Sequence, residues 1–340
     1  MIARATRDYT TETVNIISGE DIPSEEQLLS TDVVEHESYQ KQLDAIIGMD
    51  NVKKKIEEFA RYVKFRKEVE EMNPQAKIPD SNMHMIFTGN PGTGKTTIAR
   101  IMVDLMYDVG RIKERKYIEV ERKDLVGEHI GKPAIKTGEI IERALNGVLF
   151  IDEAYSLAPA DSGNDFGAEA IATLIKAMED HKGDLVVIFA GYRDEMRRFE
   201  KINPGIASRI GYRFDFEDYS CNELVDMFSS RVISSGFAID ADALARVKTV
   251  VDYYRRKQNF GNGRFVARLW QDTLTKHSAN YDEASLMKIS EADIPSVAEM
   301  NNTSLKKSNN ASLDEIIGLT EVKAQMEVFE KWVKFSVDAR

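Results

Sequence analysis

A glycine-rich segment of the sequence has the residue types and the spacing to hold phosphate groups. It reads GNPGTGKTT over 89–97 and fits the pattern G-x-x-x-x-G-K-[ST] between an apolar run and an amphipathic stretch. Glycines let successive N–H groups turn toward phosphate oxygens, and the following helix adds the positive end of its dipole. We therefore predict a phosphate-binding loop formed by Pro91, Gly92, Thr93, Gly94, Lys95, Thr96 and Thr97.

Two residues of this loop and two acids further along the chain could perform phosphate chemistry. We expect Lys95 to neutralise the β- and γ-phosphates and Thr96 to offer its hydroxyl to Mg²⁺. An apolar run at 148–151 ends in Asp152 and Glu153, as in a buried strand whose carboxyl end opens into a site. Asp152 would hold Mg²⁺ largely through water, and Glu153 would orient and activate the attacking water. These residues together predict magnesium-dependent hydrolysis of ATP to ADP.

The elements around these motifs alternate between short apolar runs and helical patterns. The runs lie at 84–88, 117–120, 148–151, 185–190 and 212–216. This alternation predicts an α/β fold with a central parallel five-stranded sheet sandwiched by helices. Beyond 216, Ser220 and Glu223 form a capping box, and amphipathic stretches follow at about 241–258 and 263–280. A small all-α subdomain is therefore expected after the sheet.

A comparison of the sequence with itself suggests flanking copies of the same unit. At an offset of 270 residues, 43–70 matches 313–340, and 17–24 resembles 289–296. We hypothesise a slice of a tandem array, with chance similarity of common helices as the alternative. The predicted domains are a polar linker or preceding tail at 1–42, an ATPase core at 43–216, a helical lid at 217–298, a linker at 299–312 and the start of a following repeat at 313–340.

Composition and charge exclude several classes of protein. The single cysteine, Cys221, cannot form an intrachain disulfide or a zinc or redox cluster. No segment approaches the roughly 20 apolar residues that cross a bilayer, so we expect a cytoplasmic protein without a membrane partner. A net charge of −11 argues against general binding to nucleic acid, which depends on clustered Lys and Arg.

Several blocks beyond the phosphate motifs resemble one family. They are DLVGEHIGKPAIKT at 124–137, GVLFIDEAYSL at 147–157, NDFGAEAIATLIKAMED at 164–180, DLVVIFAGYRDEM at 184–196, NPGIASRI at 203–210 and GNGRFVARLW at 261–270. From about Leu43 to about Tyr281 the sequence resembles P-loop AAA+ ATPases of the CbbX/CfxQ and stage V sporulation protein K group. The resemblance implies ATP or ADP and Mg²⁺ as cofactors, and a ring, usually a hexamer, with ATP between neighbouring subunits.

The resemblance also implies roles for single residues. Arg209 resembles the arginine finger that reaches a neighbour's γ-phosphate, for which a permanently charged fork is suited, although a surface salt bridge is the alternative. Arg264 resembles the sensor 2 arginine, which reports the γ-phosphate to the lid. Ile47 and Gly48 match the segment that packs against adenine, and Ile47 could instead be a core residue. Tyr192 occupies the sensor 1 position, where the superfamily usually has Asn or Thr.

The segment 127–131 corresponds to the loop that lines the central pore in this family. His129 stands where an aromatic residue is common, and Ile130 follows as the aliphatic residue. A histidine keeps the flat ring but is more polar, which weakens apolar grip on a polypeptide. A solvated loop histidine is the alternative. The polar stretch at 156–167 could form a second pore loop or an ordinary surface loop.

These observations leave more than one function open. The first is ATP hydrolysis in a ring, coupled to threading or remodelling of a protein partner, with neighbouring AAA+ domains in the parent chain. The alternative is a weakly hydrolysing scaffold module within a tandem array, against which Glu153 argues, because a domain that only binds ATP needs no water-activating carboxylate. A nucleic-acid remodeller is disfavoured by the acidic balance and by the lack of an appended DNA-binding motif.

Overall fold

The computed structural model describes residues 38–75, 82–126, 132–158, 167–258, 260–279, 282 and 285–301. Several predicted features lie outside these residues: the pore-loop pair His129 and Ile130, most of the polar stretch at 156–167, most of the amino-terminal linker, most of the linker at 299–312 and the following repeat at 313–340. None of the helices in the described ranges is long and apolar enough to cross a membrane.

A parallel sheet of five strands forms the centre of the larger part of the molecule. Its strands are β1 (His84–Gly89), β2 (Tyr117–Val120), β3 (Gly147–Ile151), β4 (Leu185–Gly191) and β5 (Ile210–Phe216), in the spatial order β2-β3-β4-β1-β5. The residues of β3 and β4 are buried throughout, as expected for strands that are covered on both faces. All neighbouring pairs are parallel, so the carboxyl ends of the strands lie along one edge.

Helices cover both faces of this sheet and build a separate apolar core on each. One face is covered by α1 (Tyr39–Ala45), α2 (Asp50–Met72) and α3 (Lys95–Asp108). The other face is covered by α4 (Arg122–Leu125), α5 (Lys132–Ala144), a 3₁₀ turn (Ala154–Leu157), α6 (Gly167–Asp180), α7 (Arg193–Ile202) and α8 (Pro204–Ala207). On α2 the buried side chains include Val52, Ile56, Phe59 and Val63, whose spacing is that of one helical face. The predicted α/β sandwich is confirmed.

A smaller helical subdomain follows the sheet. It consists of α9 (Cys221–Ser234), α10 (Ala241–Tyr254) and α11 (Asn262–His277), which pack around Phe228, Val247 and Leu269. The Ser220 and Glu223 capping box starts α9 as predicted. The subdomain also contains a two-residue parallel pair, β6 (Ala238–Ile239) with β7 (Lys288–Ile289). The sequence did not indicate this pair, because strands of two residues are too short to show alternation.

A buried histidine joins three elements beneath the sheet. The Nδ1 of His84 accepts a hydrogen bond from the Val187 N–H, and its Nε2 lies 3.1 Å from the Met178 carbonyl oxygen. Because Nδ1 accepts, Nε2 carries the proton and donates, and the ring is neutral. Burial lowers the pKa of His84 to about 4, against a partial increase from the Met178 hydrogen bond and a smaller decrease from Arg111.

Acid should therefore destabilise this protein through His84. The folded pKa lies below the ordinary value of 6.5, so between these values the unfolded chain binds a proton that the folded chain does not. The free energy of unfolding keeps its full value above pH 6.5. It decreases as the pH falls toward the folded pKa, by up to about 3 kcal/mol. Urea unfolding should be measured at several pH values in this window. The free energy of unfolding should decrease more steeply with falling pH for the native chain than for His84→Gln, which cannot titrate. Equal slopes would contradict the assignment.

Candidate active site

The glycine-rich loop lies at the carboxyl edge of the sheet, between β1 and α3. Gly92 and Gly94 have φ of 69° and 90°, in the left-handed region that favours glycine. A Cβ on Gly92 would lie 2.2 Å from the Gly261 carbonyl oxygen, and a Cβ on Gly94 would lie 2.2 Å from Met49 Cε. The loop therefore needs glycine at both positions for its backbone angles, and at Gly92 also for the close approach of the lid backbone.

The loop, the ends of β3 and β4, and the helical subdomain enclose a cavity of about 490 Å³. Its lining brings together ten predicted site residues: Pro91, Gly92, Gly94, Lys95, Thr96, Thr97, Asp152, Glu153, Tyr192 and Arg264. Three predicted nucleotide contacts do not line it. Thr93 is buried and donates to the Asn90 carbonyl oxygen, Gly48 packs against Glu223, and Ile47 is half-buried. From that segment it is Met49 that reaches the loop, by lying against Gly94.

Lys95 places a positive charge in the centre of the loop. Its Nζ donates to the carbonyl oxygens of Gly89 at 2.8 Å and Asn90 at 2.9 Å. Burial lowers the pKa of Lys95, while the charge of Asp152 raises it and that of Arg264 lowers it. A partly desolvated ammonium beside a loop of backbone donors is suited to bind a phosphate.

The two acids after β3 have distinct surroundings. Asp152 is half-buried, and one of its carboxylate oxygens accepts a hydrogen bond from the Glu153 N–H at 2.9 Å. Glu153 is exposed and has φ of 46°, a left-handed conformation that costs about 1–3 kcal/mol outside glycine. Such strain is concentrated at functional sites. The cavity thus receives one sheltered carboxylate and one that faces solvent.

The donor set of the cavity fits Mg²⁺ that arrives with a nucleotide. No group of three or more His, Cys, Asp or Glu side chains could hold a metal ion within the described ranges. Mg²⁺ usually takes only one or two protein ligands and completes its octahedron with phosphates and water. Thr96 and Asp152, which line the same cavity as Lys95, supply a hydroxyl and a carboxylate of that kind.

Two tyrosines lie close together near Glu153, and one of them, Tyr192, lines the cavity. Tyr192 follows β4, is 38% exposed and stands 5.8 Å from the ring of Tyr155, centroid to centroid. Burial first, and then the negative charge of Glu153, raise the pKa of the Tyr155 hydroxyl. Tyr192 and Glu153 both line the cavity, and the sensor 1 role of Tyr192 stays a prediction.

Arg209 lies at the opposite edge of the sheet from the cavity. Its Nε is 3.2 Å from a carboxylate oxygen of Glu179, and its Nη1 donates to the Gly205 carbonyl oxygen at 3.0 Å. The buried Nε has no well-directed hydrogen bond within the described structure, despite the nearby carboxylate. Arg209 immediately precedes β5, whose seven residues span roughly 20 Å at about 3.3 Å per residue. Its side chain therefore cannot serve the cavity of its own chain.

The sequence analysis identified Arg264 but missed the other lid residues that line the cavity. Met227 and Arg231 lie one turn apart on α9, and both line the cavity, as does Tyr219. The only signal in the sequence was their i, i+4 spacing on one helix face. Arg231 is exposed and adds a second lid guanidinium beside Arg264.

We expect Arg231→Ala to weaken nucleotide binding, because the variant loses a positive charge that faces the anionic ligand. The effect should be modest because this guanidinium is exposed to solvent. An affinity loss of about 3- to 10-fold follows from the usual strength of charge-assisted hydrogen bonds, reduced for exposure. Calorimetric titration with ADP would measure it. Arg268→Ala is the matched control, since Arg268 lies on α11 outside the cavity and pairs with Asp272. Equal affinities of the two variants would exclude a role for Arg231.

Comparison with protein families gives two matches. The model of the ATPase family associated with various cellular activities (AAA) matches residues 85–218. The model of the AAA lid domain matches residues 220–304. The first range contains the sheet and the phosphate-binding loop, and the second contains the helical subdomain.

Characterised relatives share sequence over most of their own lengths. Protein CfxQ of Xanthobacter flavus is 39% identical over 74% of this chain and 81% of that protein. Stage V sporulation protein K of Bacillus subtilis is 36% identical over 75% of this chain and 81% of that protein. The chloroplastic ribulose bisphosphate carboxylase/oxygenase activase of Cyanidioschyzon merolae is 42% identical over 65% of this chain and 75% of that protein.

Solved structures show the same fold at lower sequence identity. A mutant RuvB of Thermotoga maritima superimposes with a TM-score of 0.53 at 20% identity, over 80% of this chain and 76% of that one. This likeness concerns the architecture of the sheet and lid alone.

Proposed function

This chain belongs to the AAA family of ATPases, and from that premise we propose that it acts in a ring, coupling magnesium-dependent ATP hydrolysis to the remodelling of a protein partner. The main support for this proposal is the position of Arg209, which lies at the edge of the sheet away from the cavity. An arginine finger placed there can complete only the site of a neighbouring subunit.

Within one subunit, the residues around the cavity divide the work of binding and hydrolysis. Loop N–H groups and Lys95 bind the β- and γ-phosphates, and Arg264 contacts them from the lid. Mg²⁺, held through Thr96 and Asp152, would neutralise charge on the phosphate oxygens. Glu153 orients water and accepts its proton, and its position in the same cavity disfavours the alternative of a weakly hydrolysing scaffold.

The neighbouring subunit would supply what the cavity lacks. Among the described residues that line the cavity, the guanidinium groups are those of Arg231 and Arg264, both from the lid. A finger from outside would stabilise charge on the γ-phosphate in the transition state. Interfaces of this kind join different surfaces of successive subunits, and they generate a ring when the rotation between subunits closes. We propose that this rotation closes in a ring of six subunits.

The proposal of a protein partner draws on the relatives and on the charge of the chain. One relative is named an activase of an enzyme, ribulose bisphosphate carboxylase/oxygenase. The net charge of −11 gives no general affinity for nucleic acid. We propose that His129 and Ile130, which lie outside the described residues, contact the partner in the ring's pore.

The proposal is tested by ATP turnover as a function of protein concentration, measured with Mg²⁺ and alongside the molar mass in solution. Turnover per chain should rise cooperatively with concentration, in step with the appearance of a ring-sized species. If a monomer hydrolyses ATP and its turnover per chain does not depend on concentration, the shared site is refuted. Only the ATPase activity itself would then remain of the proposal. Omitting Mg²⁺ should abolish turnover in either case.

A further inference from the structure

A single buried amide connects the phosphate-binding loop to the lid. Asn262, the first residue of α11, is fully buried and has φ of 44°, in the left-handed region. Asparagine tolerates this conformation better than most residues. It stands two residues before Arg264, in the first turn of α11.

The amide of Asn262 contacts two segments that lie outside α11, the phosphate-binding loop and the connection between sheet and lid. Its Nδ2 donates to the Pro91 carbonyl oxygen at 3.3 Å and to a carboxylate oxygen of Asp218 at 2.8 Å. Its Oδ1 accepts from the Tyr219 N–H at 3.1 Å. Asp218 in turn accepts from Asn90 Nδ2, with both of its oxygens. The loop, the connection between sheet and lid, and α11 are thus held by one hydrogen-bond network.

The backbone of α11 repeats this contact one residue further along. The Gly263 N–H donates to the Gly92 carbonyl oxygen at 3.0 Å. In a planar trans peptide the C=O and the following N–H point in opposite directions. Holding the carbonyls of Pro91 and Gly92 against α11 therefore turns the N–H groups of Gly92 and Thr93 away from it. A phosphate-binding loop presents N–H groups to its anion, and of these two residues Gly92 lines the cavity.

We propose that Asn262 is a positioning residue that locks the phosphate-binding loop to α11, so that one side chain sets the loop's N–H donors and the place of Arg264 together. Binding of phosphates and movement of the lid are coupled through this amide. The inference rests on the proposed nucleotide site, and does not depend on the ring or on the protein partner.

The first test is Asn262→Gly in the full chain, which keeps the left-handed backbone and removes only the amide. Its affinity for ADP with Mg²⁺ should fall by about tenfold, as loss of buried hydrogen bonds to the loop predicts. At saturating ADP, hydrogen exchange of the amides at 261–266 should slow in the native chain and stay fast in the variant.

Asn146→Gly is the matched control for this variant. Asn146 also has a positive φ, 64°, but precedes β3 at the other edge of the sheet. Its variant should bind ADP like the native chain. If Asn262→Gly matches it in both affinity and exchange, the lock is refuted while the nucleotide site stands. If the native chain itself binds no ADP, the nucleotide site fails instead, and the inference fails with it.

A charge exchange separates positioning from simple structural damage. Asn262→Asp places a carboxylate against Asp218 and the Pro91 carbonyl, so ADP affinity should fall further than in the glycine variant. Adding Asp218→Asn places an amide donor opposite the new carboxylate at position 262. Part of the lost ADP affinity should then be recovered, and a double-mutant cycle would measure this recovery. No recovery, with thermal stability regained, would show that the pair matters only for folding and would overturn the proposal.

Discussion

Glu153→Gln should reduce ATP turnover by about 100- to 10,000-fold, the usual contribution of a general base, while ATP still binds. The side chain keeps its size and a hydrogen-bonding oxygen but can no longer accept a proton from water. Lys95, Thr96 and Asp152, which line the same cavity, are unchanged and should hold the nucleotide as before. Steady-state phosphate release and the fraction of ATP retained after gel filtration would measure the two effects.

The control for this variant is Glu195→Gln. Glu195 lies in the first turn of α7, pairs with Arg198 and does not line the cavity. Its turnover should equal that of the native chain. A Glu153→Gln variant with turnover close to native would show that another group activates the water. The presence of Glu153 would then no longer argue against the scaffold alternative.

Arg209→Ala should lower turnover by about 1,000-fold or more, the range found for arginine fingers, with ADP affinity unchanged. Affinity is spared because Arg209 lies across the sheet from its own cavity and is held there by Glu179. To act on a neighbour, the guanidinium must leave that carboxylate, which is itself paired with Lys182. The control is Arg213→Ala, which removes an arginine of β5, the strand that follows Arg209. Arg213 pairs with Glu200 and does not line the cavity.

Mixing two inactive variants gives the sharpest result. In rings of Arg209→Ala and Glu153→Gln subunits, some interfaces join an intact Glu153 to an intact Arg209. With equal amounts and free exchange, about one quarter of the interfaces of a cyclic ring are intact, and turnover should recover accordingly. Absence of recovery, with mixed rings demonstrated by mass, would mean that the two residues do not act across an interface.

Local sequence motifs predicted which residues meet on the phosphate-binding side of the site, and six of the seven loop residues line the cavity. The loop from Pro91 to Thr97 is contiguous, and its glycines dictate its backbone whatever surrounds it. Asp152 and Glu153 were placed with it because parallel strands bring their carboxyl ends to one edge. The five-stranded sheet followed from the alternation of apolar runs with helical patterns.

The lid side of the site was predicted only in part. Arg264 was found through family resemblance, whereas Arg231 and Asn262 were not singled out by any motif. Each comes from a segment far along the chain from the loop, and its contact depends on how the helical subdomain packs. The same holds for Ile47 and Gly48, which lie near the site without lining the cavity, while Met49 reaches Gly94.

The sequence by itself determined the chemistry of this protein: a loop for phosphates, a lysine, a hydroxyl, two acids and the sheet that presents them. These depend on backbone angles and spacing within short segments, which residue types specify directly. The tertiary structure alone decided which distant side chains close the cavity, that Asn262 joins loop to lid, and that Arg209 faces away from its own site. Such contacts arise from packing between elements, and their energies depend on the whole fold rather than on neighbours in sequence.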